Sequence, residues 1–328
     1  MSHAGAFVMS LDFELMWGVR DKRTIDDYGA NVLGVRTAVP RLLEAFARYD
    51  IACTWATVGM LFFEDKDALL AGMPDRRPAY DNKRFSPYEA LAEVGPTEKA
   101  DPYHFGLSMI KQIIAAPRQE IGTHTFSHYY CLEDGGTTED FEADLQAAHA
   151  AARNAGVKLK SIVFPRTQYS SESLAACKRA GLIAYRGNET HAMYRPVSQR
   201  ELTPLRRLAK LADSYIDLSG ANASAPRAEE GLIDIPASRF LRPWNASDRF
   251  FKAARSHRII SAMRQSAREK SVFHLWFHPH NFGINQEENF AVLDRVLAEF
   301  ARLRDAFGWP SLTMAEVADG AAAESAHG

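Results

Sequence analysis

Cysteine is scarce: three in 328 residues. Cys53, Cys131 and Cys177 are odd in number, far apart and without a C-x-x-C pair, which argues against a disulfide framework and against a cysteine-ligated zinc site. Reduced thiols in a cytoplasmic protein are the expectation. No apolar run reaches the ~18 residues of a membrane span. Met1–Ser10 has neither a basic n-region nor a long apolar core, so no secretory leader is expected. Neither sign of charge dominates: 39 Lys and Arg face 41 Asp and Glu, a net charge of −2, so there is no global field for nucleic acid. No repeat of 20–50 residues and no long low-complexity linker divides the chain. No Gly-x-Gly-x-x-Gly follows the first apolar run, which removes the usual dinucleotide loop.

What is present is a short β-type run followed by a helical pattern, many times over. Strand candidates are 6–13, 51–57, 120–123, 159–164, 182–185, 231–235, 271–277 and 311–314. Between them lie helical stripes at 35–49, 105–114, 139–155, 172–180, 248–268 and 287–307. Strands separated by helices of this length form parallel βαβ units, and seven or eight of them favour a (β/α) barrel. One domain is expected over 1–320, with polar insertions near 60–102 and 187–230 as specificity loops and a disordered tail at 321–328.

In such a barrel chemistry belongs at the C-terminal strand ends, and the polar residues collect there. Asp12 and Glu14 close the first strand at i and i+2, and so share one side of an extended chain. Two buried acids side by side are costly unless a cation or a proton-transfer role offsets them. His124 and His128 stand four apart after a short apolar strand and a Gly, a spacing that brings two imidazoles within reach of one divalent ion. His274, Trp276, His278 and His280 share one side of a late strand, with a buried neutral imidazole the plain expectation for His274.

These residues resemble the polysaccharide deacetylase superfamily, also called NodB-homology proteins or carbohydrate esterase family 4. Ser10-Leu-Asp-Phe13 stands in place of the family's Thr-Phe-Asp-Asp, and His124-Thr-Phe-Ser-His128 matches its histidine motif. Arg166-Thr-Gln-Tyr169 keeps an Arg-x-x-Tyr spacing, and Leu275-Trp-Phe-His278 fits the late Leu-x-Leu-His motif. The family's fourth motif has no counterpart. The resemblance implies a distorted, incomplete (β/α) barrel that hydrolyses an N-acyl group on a sugar with a divalent metal.

By the same resemblance Phe13 replaces a metal ligand. Glu14, His124 and His128 then become the metal triad, with Asp12 as base; the converse, Asp12 ligating and Glu14 as base, is the alternative. Zn²⁺ suits the set, and Co²⁺, Ni²⁺ or Fe²⁺ can substitute. His278 is the expected acid, Arg166 the group holding Asp12 ionised, and the Tyr169 N–H an oxyanion donor. His280 and Asn281 are expected substrate contacts, and Trp17 and Trp276 are candidate sugar-stacking rings. The expected substrate is a nucleotide-linked or lipid-linked amino sugar of surface-polysaccharide assembly (O-antigen or lipopolysaccharide). A non-catalytic carbohydrate-binding protein on the same fold is the rival.

Overall fold

The structure is a computed structural model that describes residues 5–195, 203–213, 218–245 and 252–325. Strand β1 (Phe7–Phe13) leads through helices α1 (Leu15–Val19), α2 (Ile25–Leu33) and α3 (Val35–Tyr49) to β2 (Cys53–Thr57). Helices α4 (Lys66–Ala71) and α5 (Leu107–Ala115) precede β3 (Gln119–Thr123). Then come α6 (Thr138–Asn154), β4 (Ser161–Ile162), α7 (Ser171–Arg179), β5 (Ala184–Tyr185) and α8 (Pro204–Asp213). Short strands β6 (Arg227–Glu229), β7 (Leu232–Asp234) and β8 (Arg239–Phe240) follow. The chain closes with α9 (Lys252–Glu269), β9 (Phe273–Phe277), α10 (Gln286–Phe307), β10 (Ser311–Leu312) and α11 (Met314–Ser325). Helix starts fall where the side chains can satisfy free amides: Thr24 with Asp27, Thr137 with Asp140 and Ser170 with Ser173 form capping boxes.

The sheet runs β6-β7-β5-β4-β3-β2-β1-β9-β8, with β10 also on β1. Every pairing is parallel except β6 with β7. It curls into a distorted, incomplete (β/α) barrel. The gap is spanned by one segment that changes partners: the Ala237 N–H donates to the Gly187 carbonyl beside β5, and the next amide, Ser238, donates to His274 on β9.

Alternation on β1 sets the layers. Phe7, Met9, Leu11 and Phe13 pack outward under the helices in the main core. Val8 faces inward with Ala56, Val163, Ala184 and Ile235, in a small interior core plugged by Met314, Val317 and Ala318 of α11. Ser10 and Asp12 follow on the same inner side, so the interior turns polar toward the C-terminal strand ends.

One expectation is corrected. Residues 321–325 continue α11 rather than forming a disordered tail, while 326–328 lie outside the described residues. The expected late helix is described over Lys252–Glu269, and 248–251 of its expected span lie outside the described residues. The three cysteines are free.

One carboxyl is held against its chemistry. Asp234, 7% exposed at the end of β7, has an Oδ1 with no hydrogen-bond partner. Burial, then the charge of Glu229, pushes its pKa up to about 7. Between the ordinary carboxylate range and pH 7 the folded chain therefore holds a proton that the unfolded chain has lost, so this group makes stability fall as pH rises. Across pH 5 to 8 Asp234→Asn should remove a decline of about 2–4 kcal/mol. Superimposable slopes of Tm against pH for the two proteins would refute the assignment.

Candidate active site

Asp12 and Glu14 reach the same cleft because they are two residues apart at the end of β1. Phe13, between them, points the other way and packs edge-on against Trp55 at 6.2 Å. The substitution that breaks the family's first motif therefore leaves the cleft clear, and Glu14 supplies the second carboxylate.

His124 follows β3 directly, and the loop from 124 to 128 is irregular, not the helical turn that the four-residue spacing suggests. Thr125 and His128 have left-handed φ values of 65° and 58°. The Tyr129 N–H bonds the Thr125 hydroxyl at 2.7 Å, and Asp144 on α6 accepts the amides of Phe126 and Ser127 and the Ser127 hydroxyl. This clamp turns both imidazoles toward Glu14. His124 Nε2 lies 3.3 Å and His128 Nε2 3.1 Å from Glu14 Oε2, all three side chains 4% exposed or less.

The tautomer of His124 tests whether a cation fits. Its Nδ1–H donates to the Val163 carbonyl at 2.7 Å, and a carbonyl can only accept. In a neutral ring Nε2 is then a lone pair, facing a buried carboxylate oxygen. Two acceptors in contact need a cation or an extra proton between them. The ligand atoms of Glu14, His124 and His128 lie within 4.8 Å of one another, so one divalent ion fits. Burial pushes the His128 pKa down to about 3, leaving a neutral imidazole. Burial by itself would raise Glu14, but the charge of His278 and the neighbouring imidazoles, His128 hydrogen-bonded to it, outweigh burial and hold the carboxyl well below its usual range.

Asp12 is anchored by Arg186, not by Arg166 as the sequence suggests. Arg186 Nη1 and Nη2 reach the two Asp12 oxygens at 2.7 and 2.8 Å, and Nη1 also donates to Ser10 Oγ at 2.9 Å. The Ser10 hydroxyl donates to His274 Nε2 at 2.8 Å, while His274 Nδ1–H donates to the Ile235 carbonyl at 3.0 Å. His274 is neutral as expected, burial and Arg186 pushing its pKa down to about 3. Its role is to fix the direction of the Ser10 hydroxyl beneath Arg186. Against burial, the charges of Arg186, His124 and His278 leave the Asp12 pKa lowered. Arg166, in a turn with φ of 55°, instead pairs with Asp21 and Glu133 and lies over the Tyr130 ring at 4.1 Å.

His278 Nε2 stands 3.6 Å from Asp12 Oδ2, with His280 stacked on it at 4.9 Å. These groups open into a cleft of ≈ 540 Å³ that Trp276, Asn281 and Phe240 also line. Trp276 Nε1 and Asn281 Oδ1 have no protein partner, which leaves a donor and an acceptor for a ligand. Trp17 is excluded: fully buried, its indole donates to the His104 carbonyl at 2.7 Å. The Tyr169 ring packs on Phe164 and Tyr185, and from this turn Arg166 and Thr167 line the cleft, not Tyr169. The 60–102 insertion supplies no lining residue. Its Phe85 supports Arg166 from behind, whereas 187–230 contributes Asn188, Glu189 and Tyr194.

Inward-facing carboxylates and imidazoles at the strand ends of a distorted (β/α) barrel are the arrangement of a deacetylase-like amidohydrolase. The comparisons agree. The polysaccharide deacetylase family profile matches residues 23–185. A Mycobacterium smegmatis protein assigned as a polysaccharide deacetylase superposes with a TM-score of 0.61 at 14% identity, covering 99% of this chain and 92% of that one. A GH57 branching enzyme from Thermococcus kodakaraensis, in complex with glucose, gives 0.58 at 13% identity over 95% and 70%. At such identities the likeness is one of fold. No curated protein matches the chain by sequence. The chain belongs to the polysaccharide deacetylase, or NodB-homology, superfamily. The profile match contains His124, His128 and Arg166, while Asp12, Glu14, Arg186 and His278 lie outside it.

Proposed function

We propose that this chain is a metal-dependent N-deacylase that removes an acetyl or formyl group from a nucleotide-linked or lipid-linked amino sugar in the cytoplasm, during surface-polysaccharide assembly. The observation that carries the reading is the buried Glu14, His124, His128 cluster, its ligand atoms within 4.8 Å, opening beside Asp12 and His278.

A divalent ion held by Glu14, His124 and His128 would supply Lewis acidity toward the acyl oxygen and make a bound water acidic; Zn²⁺ suits the ligands, and Co²⁺, Ni²⁺ or Fe²⁺ can replace it. Asp12, kept ionised by Arg186, takes the proton of the attacking water as its oxygen bonds the acyl carbon. The C–N bond breaks as His278 gives a proton to the departing nitrogen. The products are the free amine and acetate or formate. Trp276 and Phe240, with ring centroids 4.5 Å apart, form an apolar wall for one face of the sugar. Asn281 and His280, which line the same cleft, are polar contacts for its hydroxyls.

The test is acetate or formate release by metal-replete protein from N-acetyl and N-formyl amino-sugar donors. Release is expected to fall by about 10²–10⁴-fold in Asp12→Asn. Sugar binding without release from any donor would instead make this a carbohydrate-binding protein.

A further inference from the structure

Helix α8 sits inside out. Its sequence, Pro-Leu-Arg-Arg-Leu-Ala-Lys-Leu-Ala-Asp, places Leu205, Leu208, Ala209 and Ala212 on one arc and Arg206 and Asp213 on the other. A helix on a folded protein ordinarily buries the leucines. Here the polar arc is turned in: Asp213 is fully buried, accepting from the Tyr194 hydroxyl at 2.8 Å and from Arg239 at 2.5 Å. Arg206 donates to the carbonyls of Met193 and Arg195, both at 2.6 Å. Leu205 and Leu208 are left 76% and 62% exposed, the two most exposed large apolar side chains among the described residues. Leu218, just beyond the helix, adds another at 48%.

The charges around this face choose its occupant. Arg195 and Arg207 are exposed, and Arg207 lies near enough to Lys22 to act on its charge. Lys22 and Arg23 are themselves exposed and line the mouth of the active-site cleft. A second copy docked two-fold on this face would set these cations against their own images, an arrangement that costs energy. An anionic bilayer pairs with them while its acyl boundary takes the leucines.

We infer that α8 is an interfacial helix that docks the protein on an anionic lipid surface with the mouth of the cleft beside the headgroups. Resting on the deacylase reading, this selects the lipid-linked amino sugar over the nucleotide-linked one. The docking itself stands apart from catalysis and is tested without substrate.

The experiment is co-sedimentation of the full chain with phosphatidylglycerol/phosphatidylcholine vesicles and with pure phosphatidylcholine vesicles. Pelleting is expected with the anionic vesicles and to weaken as salt is raised. Leu205→Ser/Leu208→Ser should lower the partition coefficient by about tenfold or more, and Arg207→Glu by about fivefold. Both variants should melt with the parent and keep its deacylation of a water-soluble N-acyl amino sugar, since none of the three residues lines the cleft. Pelleting no better than with neutral vesicles, or unchanged in the double variant, overturns the inference. So does a two-chain mass in solution that the double variant halves, which would make the face a dimer contact. Vesicle binding without acyl release from any donor would spare the docking and sink only the deacylase reading.

Discussion

Arg186→Met is expected to lower kcat by about 10²–10³-fold with little change in KM, and Arg186→Lys to recover only part of the loss. Arg186 makes two bonds to Asp12, which is 3% exposed, and a third to Ser10. Burial is the largest influence on Asp12 and works to raise its pKa; Arg186 is the largest one opposing it. Without the guanidinium the balance moves toward the protonated form, and a protonated Asp12 accepts nothing from water. The acid limb of the pH-rate profile should therefore move to higher pH in Arg186→Met, and part of the rate should return as pH is raised. Lys restores the charge but not the paired geometry, so its limb should lie between the two. Breaking a buried pair also lowers stability, by roughly 5–10 °C in Tm. The pH limb separates the two effects, because a merely loosened fold does not shift it. An acid limb identical in the three proteins would remove Arg186 from the mechanism.

The Arg186 contact also shows why the base needs more than one partner. Asp12 lies in a polar layer over the apolar interior of Val8, Ala184 and Ile235. A single contact there would leave one carboxylate oxygen unpaired. The fork of Arg186 satisfies both, and Ser10, oriented by His274, accepts a third bond from Nη1 below it. Each member of this chain has its proton direction fixed by a group that can only accept or only donate, beginning at the Ile235 carbonyl.

Much of this is legible in the sequence. The longest helices and the longer strands announce themselves by periodicity, as α3, α6, α10 and β1 do, whereas α2, α8 and α11 fall outside the expected helical stripes. Asp12, Glu14, His124, His128, Trp276, His278 and His280 stand out because strand parity and short spacings are local rules, and the cleft brings them together. Arg186 escapes such a reading because β5 is two residues long and its partner Asp12 is 174 positions away. Spacing alone favours Arg166, but a left-handed backbone at that turn aims the side chain at Asp21 and Glu133. Trp17 stands three residues after Glu14, yet α1 buries it against His104. Leu205 and Leu208 form a visible stripe, and only the burial of Asp213 shows that the stripe faces out.

The metal centre carries the other large effect. As purified, or after dialysis against Zn²⁺ or Co²⁺, the chain is expected to hold about one divalent ion per molecule, and His124→Ala/His128→Ala to hold none. A site at 100 times its Kd adds ~2.7 kcal/mol of stability, so chelation should lower Tm by roughly 5 °C in the parent and not in the variant. Glu14→Gln makes the argument sharper. The histidine pair removed together leaves a buried carboxylate without its one imidazole donor, His128, and opens a cavity beside it, so the double variant should melt below even the chelated parent. A glutamine side chain in place of Glu14 keeps the shape and offers an amide N–H to the His124 lone pair, which no longer meets a carboxylate oxygen. Glu14→Gln should thus lose the ion and still melt at or above the chelated parent. The contact between two acceptors, not the mere presence of histidines, is what calls for a cation here. A parent protein that takes up no ion after dialysis, and whose melting ignores chelator, would mean that His124 carries the second proton and that Glu14, His124 and His128 are a hydrogen-bonded cluster.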